Sequence, residues 1–159
     1  MPPSNHHVNQ AANNIKFLKT FYLSYMYNDW AITVGFYTAV HVIESALCET
    51  KKLTIKGKEI NIEGSEGLKV ELIKNGIIMP NVTLSTHKLR ILAVEYAFPD
   101  ISAYYKNLHD MAWQARYIQF SWSQPETYFA IEYDLKSIIE WYNTRFKKTL
   151  EPNFKSKKI

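Results

Sequence analysis

Asp29-Trp30-Ala31-Ile32-Thr33-Val34-Gly35-Phe36-Tyr37-Thr38-Ala39-Val40-His41-Val42-Ile43-Glu44-Ser45-Ala46-Leu47 holds no proline, and from Trp30 onward it carries one histidine, one acid and no lysine or arginine. A segment apolar almost all the way round reads as a helix buried in a bundle, not one lying on a surface. His41 and Glu44 stand three apart and share a face, with Tyr37 one turn earlier. A buried helix with an ionisable pair must neutralise it, partner it or use it.

Working outward, Val8 to Tyr27 reads as a preceding helix, with Ile15, Leu18, Tyr22, Tyr25 and Met26 near helical spacing. Asn28-Asp29 breaks it, and Asp29 is expected to cap the next helix, Trp30 to about Glu49. Lys52 to Glu63 then alternates apolar and polar about a Gly57 turn, the pattern of a small β-hairpin inserted after the second helix. Ser65 to Lys74 returns to helix and stops at Asn75-Gly76. Ser85 or Thr86 caps a helix from His87 to Ala97, with Leu89, Leu92, Ala93 and Tyr96 as its stripe. Pro99-Asp100 opens another to about Trp122, with Tyr104, Leu108, Met111, Ala112 and Ala115 inward. Pro125-Glu126 opens the last, Thr127 to Lys148, with Tyr128, Ile131, Leu135, Ile138 or Ile139 and Tyr142 inward. The fold class expected is all-α, an up-down helical bundle with one hairpin insertion.

Composition bounds the rest. At 159 residues and 47% hydrophobic, one domain with a real core is expected, spanning 1–150, followed by a basic tail at 151–159. From Arg145 onward six basic residues face one acid, a charge of +5, so the remaining chain (13 basic, 14 acidic) is −1. The net +4 is therefore a property of the end, which suits solubility or a loose hold on a polyanion. A single cysteine, Cys48, excludes an internal disulfide, and no segment reads as a signal peptide or a charge-free membrane span. A cytoplasmic protein is expected. Phosphate-binding glycine loops, a nucleophile elbow, a His-Glu-x-x-His helix and paired cysteines are all missing from the sequence.

Four pieces in order are Asp29-Trp30, Phe36-Tyr37-Thr38-Ala39-Val40-His41, Thr86-His87-Lys88-Leu89-Arg90 and Ala115-Arg116-Tyr117. Together they resemble the HEPN-like superfamily over roughly residues 15–142, with the hairpin lying outside the common pattern. The resemblance implies a small all-α bundle that forms a homodimer and works around RNA or nucleotides, often in toxin–antitoxin or defence systems beside a partner protein encoded nearby. Catalytic members carry an arginine followed four to six residues later by a histidine, and cleave RNA without a metal. Here Arg90 is followed at those positions by Val94, Glu95 and Tyr96, Arg116 by Phe120, Ser121 and Trp122, and Arg145 by Thr149, Leu150 and Glu151. The standard ribonuclease pair is absent.

The candidate site residues follow. His41, Glu44 and His87 are candidates for catalysis if any occurs, and Arg90, Arg116 and Tyr37 for holding a ligand or phosphate. A structural reading stands beside this one: Glu44 meets Arg90 or Arg116 only to neutralise a buried charge. As metal ligands, one acid and two histidines make too thin a donor set, so no metal and no cofactor is expected. His109, Trp113 and Arg116 share a stripe that suits either a nucleobase or a protein seam. Three functions remain open: a non-catalytic RNA or nucleotide binder, a metal-independent ribonuclease with non-standard residues, and a dimeric interaction module. The first is the leading expectation.

Overall fold

The computed structural model describes residues 4–118 and 122–154. Its elements are α1 (Ser4–Phe21), α2 (Asn28–Thr50), β1 (Lys52–Ile55), β2 (Lys58–Asn61), α3 (Gly64–Lys74), α4 (Thr86–Ala97), α5 (Pro99–Tyr117), α6 (Gln124–Phe129) and α7 (Lys136–Phe146). A π-helical stretch, Ala130–Leu135, joins α6 to α7, so the three run as one rod. Among the described residues the fold is helical with one two-stranded antiparallel hairpin.

α2 is the axis. It is long and apolar enough by composition to cross a membrane, yet 78% of its apolar window is buried inside the bundle. It packs against α1, α5, α7 and the π stretch, with shorter contacts to α3 and α4. Gly35 sits where α2 crosses the last rod, and a Cβ there would come within 2.5 Å of Ile131 Cδ1. The missing side chain lets the last rod approach closely.

The hairpin pairs Leu53 with Ile60 and Ile55 with Lys58. Lys56 and Gly57 both have positive φ (50° and 75°), as a primed two-residue turn demands. Leu53, Ile55 and Ile60 are buried toward α3 and α4, which gives a unit too small to stand alone its support.

Several expected boundaries move. α1 starts at Ser4 and stops at Phe21, followed by a single 3-10 turn and a left-handed Tyr25 (φ 54°). α2 begins at Asn28, so Asp29 lies inside the first turn instead of capping it. Ser85 does cap α4, its hydroxyl accepting the Lys88 N–H at 3.3 Å. On α5 the buried tyrosine is Tyr105, not Tyr104, and the helix ends at Tyr117. Tyr128 is exposed rather than inward, because the wide π turns shift the phase between it and Ile131. The packed chain also continues past residue 150. Asn143 clasps both the N–H and the carbonyl of Leu150, and Phe154 is fully buried. Of the expected tail, residues 155–159 lie outside the described residues.

Candidate functional site

Tyr37, His41 and Glu44 fall at i, i+4 and i+7 on α2 and share one side of it, as the spacing requires. Glu44 is the centre of this group. Its carboxylate accepts the Ser65 backbone N–H at 3.1 Å, the Ser65 hydroxyl and the Arg90 Nε–H. The Ser65 N–H is one of the orphan donors at the start of α3, a helix whose own N-cap supplies no side chain. A side chain from α2 therefore caps α3 while pairing with α4. Burial pushes the Glu44 pKa up, but the Ser65 hydroxyl and the Arg90 charge outweigh it and hold the carboxyl below its ordinary range.

Arg90 is correspondingly occupied. Its side chain is 12% exposed, bound to Glu44 through Nε and donating from Nη1 to His87 Nδ1 at 3.3 Å. The expectation that Arg90 meets phosphate gives way to a structural one: its fork already faces a carboxylate and an imidazole. Burial, reinforced by Arg90, His109 and Arg116, lowers the His87 pKa.

His41 has a partner the sequence reading overlooked. Its Nδ1 lies 3.0 Å from His7 Nδ1, so one ring donates while the other accepts. Burial first, then His7 and Arg90, depress His41 to about 4, and burial also lowers His7. At neutral pH the pair is uncharged. The His7 Nε2 is buried without a partner among the described residues. The two rings join Glu44, Ser65, Thr86 and Arg90 around a cavity of about 170 Å³. Ser4 fixes this end of α1, its hydroxyl 2.8 Å from Ser45 Oγ and 2.9 Å from Glu49 Oε1.

Arg116 belongs to a neighbouring surface. Its Nε donates to the Ala112 carbonyl at 3.0 Å and its Nη1 to the Tyr37 hydroxyl at 2.9 Å. The guanidinium lies 5.5 Å from the Tyr37 ring centre and 5.3 Å from that of Tyr117. Tyr37, Trp113 and Tyr117 are 38%, 46% and 64% exposed, so the charge and its aromatic neighbours face water. Between this surface and the cavity stand His87 and His109, ring centres 5.8 Å apart, each 5.5 Å from Phe36.

Of the expected residues, His41, Glu44, His87 and Arg90 converge, whereas Arg116 and Tyr37 pair with each other beside them. Among the described residues no group of three or more His, Cys, Asp or Glu is placed to hold a metal. His7 and Ser65 were missed. His7 had a signal, since it continues the buried stripe of Ala11, Ile15 and Leu18 backward by one turn. Ser65 had none, because its partner is 21 residues away. A second buried acid, Asp134, lies in the π stretch and accepts from Asn107; burial raises it to about 6. Comparison with protein-family models, with curated proteins and with solved structures finds no match to this chain.

Proposed function

We propose that the chain is a HEPN-like bundle that binds RNA or a nucleotide without cleaving it. The observation that carries this reading is Arg116, a guanidinium braced by Tyr37, Tyr117 and the Ala112 carbonyl at the water-facing edge of a histidine-rich row. Two of its five N–H donors are used, and the remaining three suit a phosphate. The exposed rings of Tyr37, Tyr117 and Trp113 suit a stacked base. The buried half of the row supports the fold: Glu44 and Arg90 cancel, and the His7–His41 pair is neutral. The resemblance adds a homodimer, a cytoplasmic setting and a role beside a partner protein to this proposal.

Titration of the protein into a labelled single-stranded RNA at low salt, read by fluorescence anisotropy, tests it. Binding that weakens with added salt and falls at least tenfold in Arg116→Ala, with the RNA intact, is the expected result. Absence of binding at low salt refutes it and leaves the interaction module. A second reading, the metal-independent ribonuclease, draws support from His87, whose lowered pKa keeps the imidazole neutral within range of the Arg116 charge. EDTA-resistant cleavage that disappears in His87→Ala would favour the enzyme.

A further inference from the structure

Beside Arg116, the first turns of α2 and the end of α5 enclose a hollow of about 340 Å³ lined by Asp29, Trp30, Thr33, Ala115 and Arg116. Its polar groups are unevenly free. Thr33 gives its hydroxyl to the Asp29 carbonyl at 2.8 Å. The Asp29 carboxylate, by contrast, has no hydrogen bond or ion pair among the described residues. Arg116 lines the same space yet binds Tyr37 and Ala112 instead of Asp29. An acid and a base share one hollow without neutralising each other. Trp30, 59% exposed, offers an indole at the edge.

We propose that this hollow is a guanine subsite, an inference that rests on the nucleotide-binding reading above. A carboxylate only accepts hydrogen bonds, so it prefers a base edge with two adjacent donors. Guanine presents N1–H beside its 2-amino group. Adenine and cytosine each set one amino donor beside a ring nitrogen whose lone pair repels the carboxylate, and uracil flanks its single N–H with carbonyls. Asp29 accepts from both guanine donors, Trp30 stacks on the ring and Arg116 takes the phosphate. The competing account of Asp29 is that its charge complements the positive start of α2, which predicts an effect on stability and none on ligand choice.

The test is isothermal titration of the full chain with GMP, IMP, AMP, CMP and UMP at low salt, with inorganic phosphate as a control. GMP is expected to bind at least tenfold more tightly than AMP, with IMP, which lacks the 2-amino group, between them. Asp29→Asn, shown by circular dichroism to stay folded, is expected to bring GMP and AMP within twofold of each other, while Arg116→Ala weakens every nucleotide. Equal affinity for GMP and AMP in the parent protein overturns the guanine assignment alone, as does a preference that survives Asp29→Asn. Failure of every nucleotide, and of RNA, to bind overturns both this assignment and the reading beneath it.

Discussion

Replacing Glu44 with alanine tests the central network of the fold. The side chains of Glu44 and Arg90 are 6% and 12% exposed, so the lost carboxylate is not replaced by bulk water. Breaking a buried ion pair from one side costs about 3–5 kcal/mol, because the remaining charge is stranded. The Ser65 N–H loses its cap as well, a further penalty of about 1–3 kcal/mol that overlaps the first. We expect Glu44→Ala to lose about 4 kcal/mol, a large share of the roughly 5–15 kcal/mol that holds a domain together. Glu44→Gln keeps an acceptor oxygen and is expected to lose about 2 kcal/mol. The double replacement Glu44→Leu with Arg90→Met strands no charge, and so is expected to cost clearly less than the sum of its two single changes. Urea unfolding followed by circular dichroism gives each value from the midpoint at a common slope. Strict additivity in the double variant, or a Glu44→Ala protein within 1 kcal/mol of the parent by the same scale, would refute this reasoning. The sign with pH also follows: with its folded pKa depressed, Glu44 contributes fully above its ordinary range and loses that contribution as pH falls through the lower folded value.

Three further outcomes can be checked by the same unfolding assay. His41 sits at about 4 in the fold against 6.5 when free, so stability drains as pH falls below 6.5 and levels near 4; the gap is worth about 3 kcal/mol at full burial and roughly half that for this partly exposed ring. His41→Asn, which keeps a hydrogen-bonding partner for His7 without titrating, is expected to flatten that slope and leave only the part His7 contributes, and an unchanged pH profile would count against the neutral pair. Asp134 carries the opposite sign: with its pKa raised from 3.8 to about 6, the parent gains stability relative to Asp134→Asn as pH falls from 7 to 5, by roughly 1–2 kcal/mol. Gly35→Ala is expected to change stability by less than about 1 kcal/mol, since the Ile131 Cδ1 that a Cβ would meet is the far end of a side chain that can turn away while the helix gains from alanine, and a loss above about 2 kcal/mol would show that the crossing has no slack.

Local patterns carried the architecture. The apolar run of α2, the Ser85 cap and the Lys56-Gly57 turn are each written in a few neighbouring residues, and each is found in the structure. What the sequence hid was long-range or out of phase. Tyr128 was placed inward because a 3.6-residue period was carried through Ala130–Leu135, where the turns are wider. The sequence leaves Arg90 open between a phosphate and an ion pair with Glu44, 46 residues earlier, and only the packing of α4 against α2 decides for the pair. The His7–His41 contact spans 34 residues and needed the α1–α2 crossing to become visible. The sequence groups Arg116 with His41, Glu44, His87 and Arg90, and its place on a neighbouring surface shows only through its contact with Tyr37, 79 residues away.

The wide turns between α6 and α7 also hold a residue that the rest of the last rod does not feel. A π turn takes its surplus residue by local widening, so the helix on either side keeps its phase, and Thr127, Ile131, Leu135, Ile139 and Tyr142 stay on one buried stripe. Excising a single position from Ala130–Leu135 would therefore let the stretch close to ordinary α turns with Ile138, Ile139 and Tyr142 still facing the interior. Inside an unbroken helix the same deletion would turn every later residue of that helix by about 100°. Here the surplus residue is slack that the last rod can lose and stay meshed with α2.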